Sequence, residues 1–280
     1  MTEKRKSLSI LLIVAITSFM GTFLVSAVNI ALPSIEHDLS LSAIELSWII
    51  TSFILGMALF MLPAGVWGDS SDNVKIFKFG LIIFTIASAF CYVSPDGIWL
   101  ISARFLQGVG TAFTGTTGQA ILVSSFPPER RGRVLGISVS AVYTGLALGP
   151  LLGGIVTQHM GWRLLFLIAV ILGVFTFIVS AVYLKNDKNI KKESLKSDRL
   201  GIFIFMTGLT TLVYGSSQIP STAGWTLMAV SLLLLIIFWK IESRVKNPLL
   251  NTSLFTKNKL FTYSNLSALI NYTSTLAIVF

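Results

Sequence analysis

Residues 145–154 read GLALGPLLGG, four glycines and a proline inside an apolar run long enough to cross a bilayer. In an isolated helix each glycine costs about 1 kcal/mol relative to alanine, and an interior proline about 3 kcal/mol. In lipid the balance differs. Gly145, Gly149 and Gly153 recur at i, i+4 and i+8, so they form one flat face. Such a face lets a neighbouring helix approach closely, and packing then replaces the hydrophobic drive that lipid cannot supply. Pro150 removes a backbone hydrogen bond and is expected to bend the helix, which neighbours can tolerate by re-satisfying the freed carbonyl. A close-packed, bent helix can pivot on its partner without opening voids.

The rest of the chain fits that setting. Its 280 residues are 54% hydrophobic and 12% charged, with a mean hydropathy of +0.81. That leaves too few Lys and Glu to coat a water-facing surface. Apolar runs of spanning length fall at roughly 8–32, 46–67, 74–94, 99–123, 134–157, 163–184, 200–218, 225–241 and 261–280, about nine candidate spans. The first follows TEKRKS, but it is too long for a cleaved leader and lacks a small-residue cleavage site.

All basic residues except Arg104 and Arg163 fall in loops on the side of the amino terminus. The opposite loops hold Glu36, His37, Asp38, Glu45, Asp96 and His159. This positive-inside pattern predicts a cytoplasmic N-terminus in a multi-pass protein of the cell membrane. The net charge of +9 therefore reflects orientation in the bilayer, and no nucleic-acid partner is expected. The stretch 185–199, KNDKNIKKESLKSDR, reads as a basic linker against anionic lipid. It separates a six-helix bundle (1–184) from two further helices (200–242) and a final loop and helix (243–280).

Within the spans, polar residues are few. Arg104, Gln107, Thr111 and Thr114 share an arc of about 80° on the fourth span. Ser18, Thr22, Ser26 and Asn29 form a stripe on the first. Two such stripes suggest a water-filled cavity between these helices; interhelical hydrogen bonding by small hydroxyls is the alternative. Arg104 is the one basic residue deep in a span, and charge at that depth is costly and usually functional. No Asp or Glu lies deep in any span. His37 and His159 are too far apart for a metal site, and the lone Cys91 permits no internal disulfide. No phosphate-binding loop or nucleophile–base constellation is present, so no cofactor and no enzymatic activity are expected. Trp48, Trp67, Trp99, Trp162 and Trp225 sit near span ends and read as interfacial anchors.

Four segments together resemble the major facilitator superfamily, in its branch of 14-span drug–proton antiporters. VNIALPSI (28–35) is similar to the end of that family's first helix, although the family's acidic position falls here on Leu24. GVWGDSSDNVK (65–75) resembles the signature loop between spans two and three. Gly65 and Asp69 match it; Asp72 replaces a glycine, Asn73 and Val74 replace basic residues, and Lys75 remains. ARFLQGVGTA (103–112) matches the fourth-span pattern through Arg104, Gln107 and Gly108, and GLALGPLLGG matches the fifth-span antiporter signature over its whole length. GWRLLF (161–166), DRLG (198–201) and NPLLNTSLFTKNKLFTYSN (247–265) resemble later landmarks.

The resemblance implies an all-α polytopic fold whose first six spans are two inverted three-helix repeats, and a chain that stops part-way through a longer one. It implies alternating access coupled to an ion, most readily a proton, with export of a small amphipathic or drug-like compound. Arg104 would serve coupling or substrate contact, with Gln107 and Asn29 lining the path. Asp69 and Lys75 would gate, and Gly145, Gly149, Pro150, Gly153 and Gly154 would form the packed pivot. Uptake by symport and a non-transporting membrane sensor remain open, the latter because of Leu24 and the depleted loop signature.

Overall fold

The structure, a computed structural model, describes residues 3–184, 198–245 and 248–279. Most of the basic stretch expected to be a linker therefore lies outside the described residues. The described residues form ten α-helices and no strand. In order they are α1 (Glu3–Leu39), α2 (Ala43–Ser70), α3 (Asn73–Tyr92), α4 (Gly97–Ser125), α5 (Pro128–Met160), α6 (Arg163–Tyr183), α7 (Arg199–Ser217), α8 (Thr222–Glu242), α9 (Ser253–Lys257) and α10 (Lys259–Val279).

Short polar signals set the boundaries. Ser42 and Glu45 form a reciprocal capping box at the start of α2. Asp72 accepts from the Val74 N–H at 2.8 Å and Asp96 from the Trp99 N–H at 2.8 Å, opening α3 and α4. Pro128 takes the first position of α5, where its missing N–H costs nothing. Between α5 and α6 the chain turns at Gly161, whose φ of +86° suits glycine.

Among the described residues, seven helices are long and apolar enough to cross a membrane: α1, α2, α3, α5, α6, α7 and α8. The sequence suggests nine. The two exceptions are polar: α4, with 29 residues, carries Arg104, two glutamines and four threonines, and α10 is rich in Ser, Thr and Asn. Their length is sufficient; their hydropathy is not.

The chain divides into two compact units, Met1–Glu193 and Ser194–Phe280. In the first, α1 packs most extensively on α5 and α2 on α4, with α3 against both α4 and α6. Exchanging α1 with α4, α2 with α5 and α3 with α6 turns the first pairing into the second, as inverted three-helix repeats require. Three apolar clusters fill the bundle, the smallest around Ala64, Val109 and Phe113 of α2 and α4. Of the larger two, one includes Phe23, Leu24, Phe84, Cys91, Leu100 and Phe166; the other includes Ile13, Phe77, Leu81 and Leu122. Cys91, the only cysteine of the chain, is fully buried. The second unit contains the paired helices α7 and α8, followed by α9 and α10.

Candidate functional site

Close glycine contacts place α4 at the centre of the site. A Cβ added at Gly108 would lie 3.0 Å from the Met57 nitrogen of α2, and one at Gly110 would lie 2.8 Å from the Gly80 oxygen of α3. Backbones this close bring α4 side chains within reach of main-chain groups on both neighbours. Arg104 uses that reach. Its Nε donates to the Ile49 carbonyl of α2 at 3.3 Å, and its guanidinium lies 4.3 Å from the centre of the Phe53 ring. Its Nη1 donates to Gln107 Oε1 at 2.5 Å. Gln107 Nε2 donates to Ser88 Oγ on α3 at 2.7 Å, and Ser88 donates to the Phe84 carbonyl at 2.7 Å.

The direction of this chain is fixed at both ends, because a guanidinium only donates and a carbonyl only accepts. Arg104 and Gln107 have no exposed surface, and Arg104 Nη2 has no partner. The one ion pair among the described residues lies elsewhere, so Arg104 is a buried cation without a carboxylate facing it. Leu24, which stands at the family's acidic position, is packed into the apolar cluster of the bundle.

The stripe on α1 faces α5. Ser18 Oγ and Ser138 Oγ lie 3.2 Å apart, Thr22 donates to the Val142 carbonyl at 3.0 Å, and Ser26 donates to the Leu146 carbonyl at 3.0 Å. Each pair is separated by 120 residues, so the two helices run parallel in a constant register. Gly145, Gly149 and Gly153 line the same seam. A Cβ at Gly145 would come 2.7 Å from the Phe19 oxygen, one at Gly149 2.8 Å from Ser26 Oγ, and one at Gly153 2.8 Å from Ala27 Cα. Gly154 stands apart, its nearest neighbour being Ile30 Cγ2 at 3.7 Å, and Pro150 is exposed on an unbroken helix.

The α1 stripe thus bonds α5, and the α4 stripe meets α1 and α3 at a space of about 10 Å3 bordered by Thr17, Met20, Leu81, Phe84, Thr111 and Thr114. At most one water fits there. A larger cavity of about 600 Å3 opens where the end of α1 meets the α5–α6 turn, lined by Ser34, His37, Asp38, Met160, Trp162 and Arg163. There Arg163 pairs with Asp38 and donates to the Ser94 carbonyl at 3.1 Å. Trp162, expected as an interfacial anchor, is buried and donates its indole N–H to Asp38 at 3.0 Å. Asp69 and Lys75 are both exposed and form no ion pair, while the neighbouring Asp72 makes the cap. Asn29 is half-buried on α1. Ser88 completes the Arg104 network unannounced by the sequence: one serine in an apolar helix carries no signal until the register of α3 on α4 is known.

The profile of the Major Facilitator Superfamily matches residues 11–280. The riboflavin transporter RibZ of Clostridioides difficile (strain 630) is 30% identical over 275 residues, covering 97% of this chain and 59% of that protein. The methylenomycin A resistance protein of Bacillus subtilis (strain 168) is 30% identical over 272 residues, covering 95% of this chain and 58% of that protein. The chain thus spans a little over half the length of these relatives. Among solved structures, the POT family transporter PepTSo matches in fold, with a TM-score of 0.61 and 14% identity over 84% of this chain and 52% of that one.

Proposed function

The chain belongs to the Major Facilitator Superfamily and is a multi-pass membrane protein, and from that premise we propose that it serves secondary active export of small amphipathic or drug-like compounds. The transport cycle is alternating access with protons moving in the opposite direction, and the branch is that of the 14-span drug–proton antiporters. The observation that carries this reading is the α1–α5 seam. Of the four glycines in the ten residues that match the antiporter signature, Gly145, Gly149 and Gly153 lie against α1 with no room for a side chain. That a relative is named a methylenomycin A resistance protein agrees with export.

In this reading Arg104 meets the substrate or takes part in coupling, presenting its free Nη2 to an anionic group when the helices shift. Gln107 holds the guanidinium, Asn29 lines the path, and Asp69 and Lys75 act in the cytoplasmic gate. The protein sits in the plasma membrane with its amino terminus in the cytoplasm, as the loop charges suggest. Residues 1–184 form the six-helix bundle, 185–199 a cytoplasmic linker, 200–242 two linking helices and 243–280 the start of a second bundle.

A second reading is solute uptake. It is favoured by RibZ, a riboflavin transporter by name, by Leu24 at the position where the resemblance expects an acidic residue, and by Arg104 having no carboxylate partner among the described residues. Full-length protein in liposomes separates the two. An imposed proton gradient drives movement of cationic dyes if the export reading holds, and Arg104→Ala abolishes it at unchanged protein level. Dyes that ignore the gradient while riboflavin follows it would establish the uptake reading instead.

A further inference from the structure

A second buried polar site lies in the unit Ser194–Phe280, where α7 begins and α8 ends. Asp198 caps α7, its Oδ1 accepting from the Gly201 N–H at 3.0 Å. Glu242, the last residue of α8, is 2% exposed, and its Oε2 accepts from the Leu250 N–H at 3.1 Å. Each carboxylate thus has one oxygen in use. The other two, Asp198 Oδ2 and Glu242 Oε1, are buried without any hydrogen-bond partner. Both lie beside Gly201: a Cβ there would be 2.6 Å from Glu242 Oε1 and 2.9 Å from Asp198 Oδ2. Only a glycine leaves that space to the two oxygens.

Two ionised carboxylates cannot share such a corner cheaply, because like charges repel strongly out of water. The other charged groups with described side chains in this unit are Lys240, Arg244, Lys257 and Lys259, and none pairs with either acid. Lys196, Arg199 and Lys246, neighbours in sequence, lie outside the described side chains. No group of three or more His, Cys, Asp or Glu able to hold a metal ion occurs among the described residues. A single donor placed beside Gly201 would serve both orphaned oxygens.

We propose that Asp198 and Glu242 form a proton-binding site, in which a single proton taken from water resides on Glu242 Oε1 and is donated to Asp198 Oδ2. The pair then carries one negative charge instead of two, and both free oxygens are satisfied by one hydrogen bond. Buried carboxyl pairs sharing one proton are a known solution to this electrostatic problem. The site is independent of Arg104 and of the direction of transport.

Infrared spectroscopy of the full-length protein in lipid nanodiscs tests the site. The background is Asp72→Asn, since Asp72 is the other carboxylate with a buried, unpartnered oxygen. At neutral pH the spectrum is expected to show the C=O stretch of one protonated carboxyl per chain, lost at alkaline pH. Glu242→Gln and Asp198→Asn supply an amide donor in place of the proton, so each is expected to remove the band and keep the parental melting temperature. Glu242→Ala, which supplies none, lowers it. Absence of the band in the background protein overturns the proposal whether or not the variants fold. So does a Glu242→Gln protein that melts earlier while the background protein loses stability in salt, which would mark a lysine or arginine as the partner. Stability that follows sodium or potassium at constant ionic strength would mark a metal cation and overturn it equally.

Discussion

The Arg104–Gln107–Ser88 chain is a relay of donors in which every member has a fixed role, so its parts fail differently. Ser88→Ala leaves the buried Gln107 amide without its acceptor and is expected to cost about 1–3 kcal/mol in denaturant unfolding. Arg104→Lys keeps the charge and loses the fork, so Ile49 and Gln107 cannot both be reached. Transport is expected to fall at least about tenfold with little change in expression, equivalent to ~1.4 kcal/mol. The Asp38–Arg163 pair is half in water, and exposed pairs contribute about 0–1 kcal/mol. Arg163→Ala should therefore change stability little, and the small loss should vanish in high salt. Asp38→Ala should cost more, because the buried Trp162 indole also depends on it. Sequence alone reached Arg104 and Gln107, since spacing of three places them on one face. It could not reach Ser88, nor see that Trp162 turns inward: an aromatic residue at a span end reads alike whether it meets lipid or core.

At the scale of the helix, glycine seams explain which pairs touch. Without a hydrophobic drive inside the bilayer, close van der Waals contact decides partner choice. Gly149→Ala forces a methyl group against Ser26 and is expected to destabilise by about 1–3 kcal/mol. Gly154→Ala meets nothing closer than 3.7 Å and is expected to be neutral or stabilising by up to about 1 kcal/mol. Thermal unfolding in detergent distinguishes the two, and a result in which both behave alike would remove the seam as the explanation. Gly108→Ala at the α2–α4 crossing should be as damaging as Gly149→Ala. Helix existence was legible, because apolar runs of spanning length are a local signal; the caps at Ser42, Asp72 and Asp96 that fix the helix starts appear only in the structure. The ladder of Gly145, Gly149 and Gly153 was legible too, as it lies on one face. Its partner was not: periodicity reveals a face and says nothing of who meets it, which is why the α1 stripe turned out to bond α5.

At the scale of the molecule, the loop charges predict orientation, and protease access checks it. A cleavage site inserted within 185–197 should be cut only in inside-out vesicles, and one beside Pro95 only in right-side-out vesicles. The reverse pattern would invert every assignment of inner and outer ends. The inverted repeats make the α1–α5 and α2–α4 interfaces counterparts, so rocking at one has a related interface at the other.

The burial of Cys91 has a practical consequence. A thiol with no exposed surface, in a chain with no second one, is shielded from maleimide and methanethiosulfonate reagents in the folded protein. A cysteine introduced at an exposed position such as Asp69 or Pro150 would carry a fluorophore or spin label almost alone, with the native residue left in place. Labelling of Cys91 itself would then report unfolding of the bundle, an internal alarm supplied by the chain.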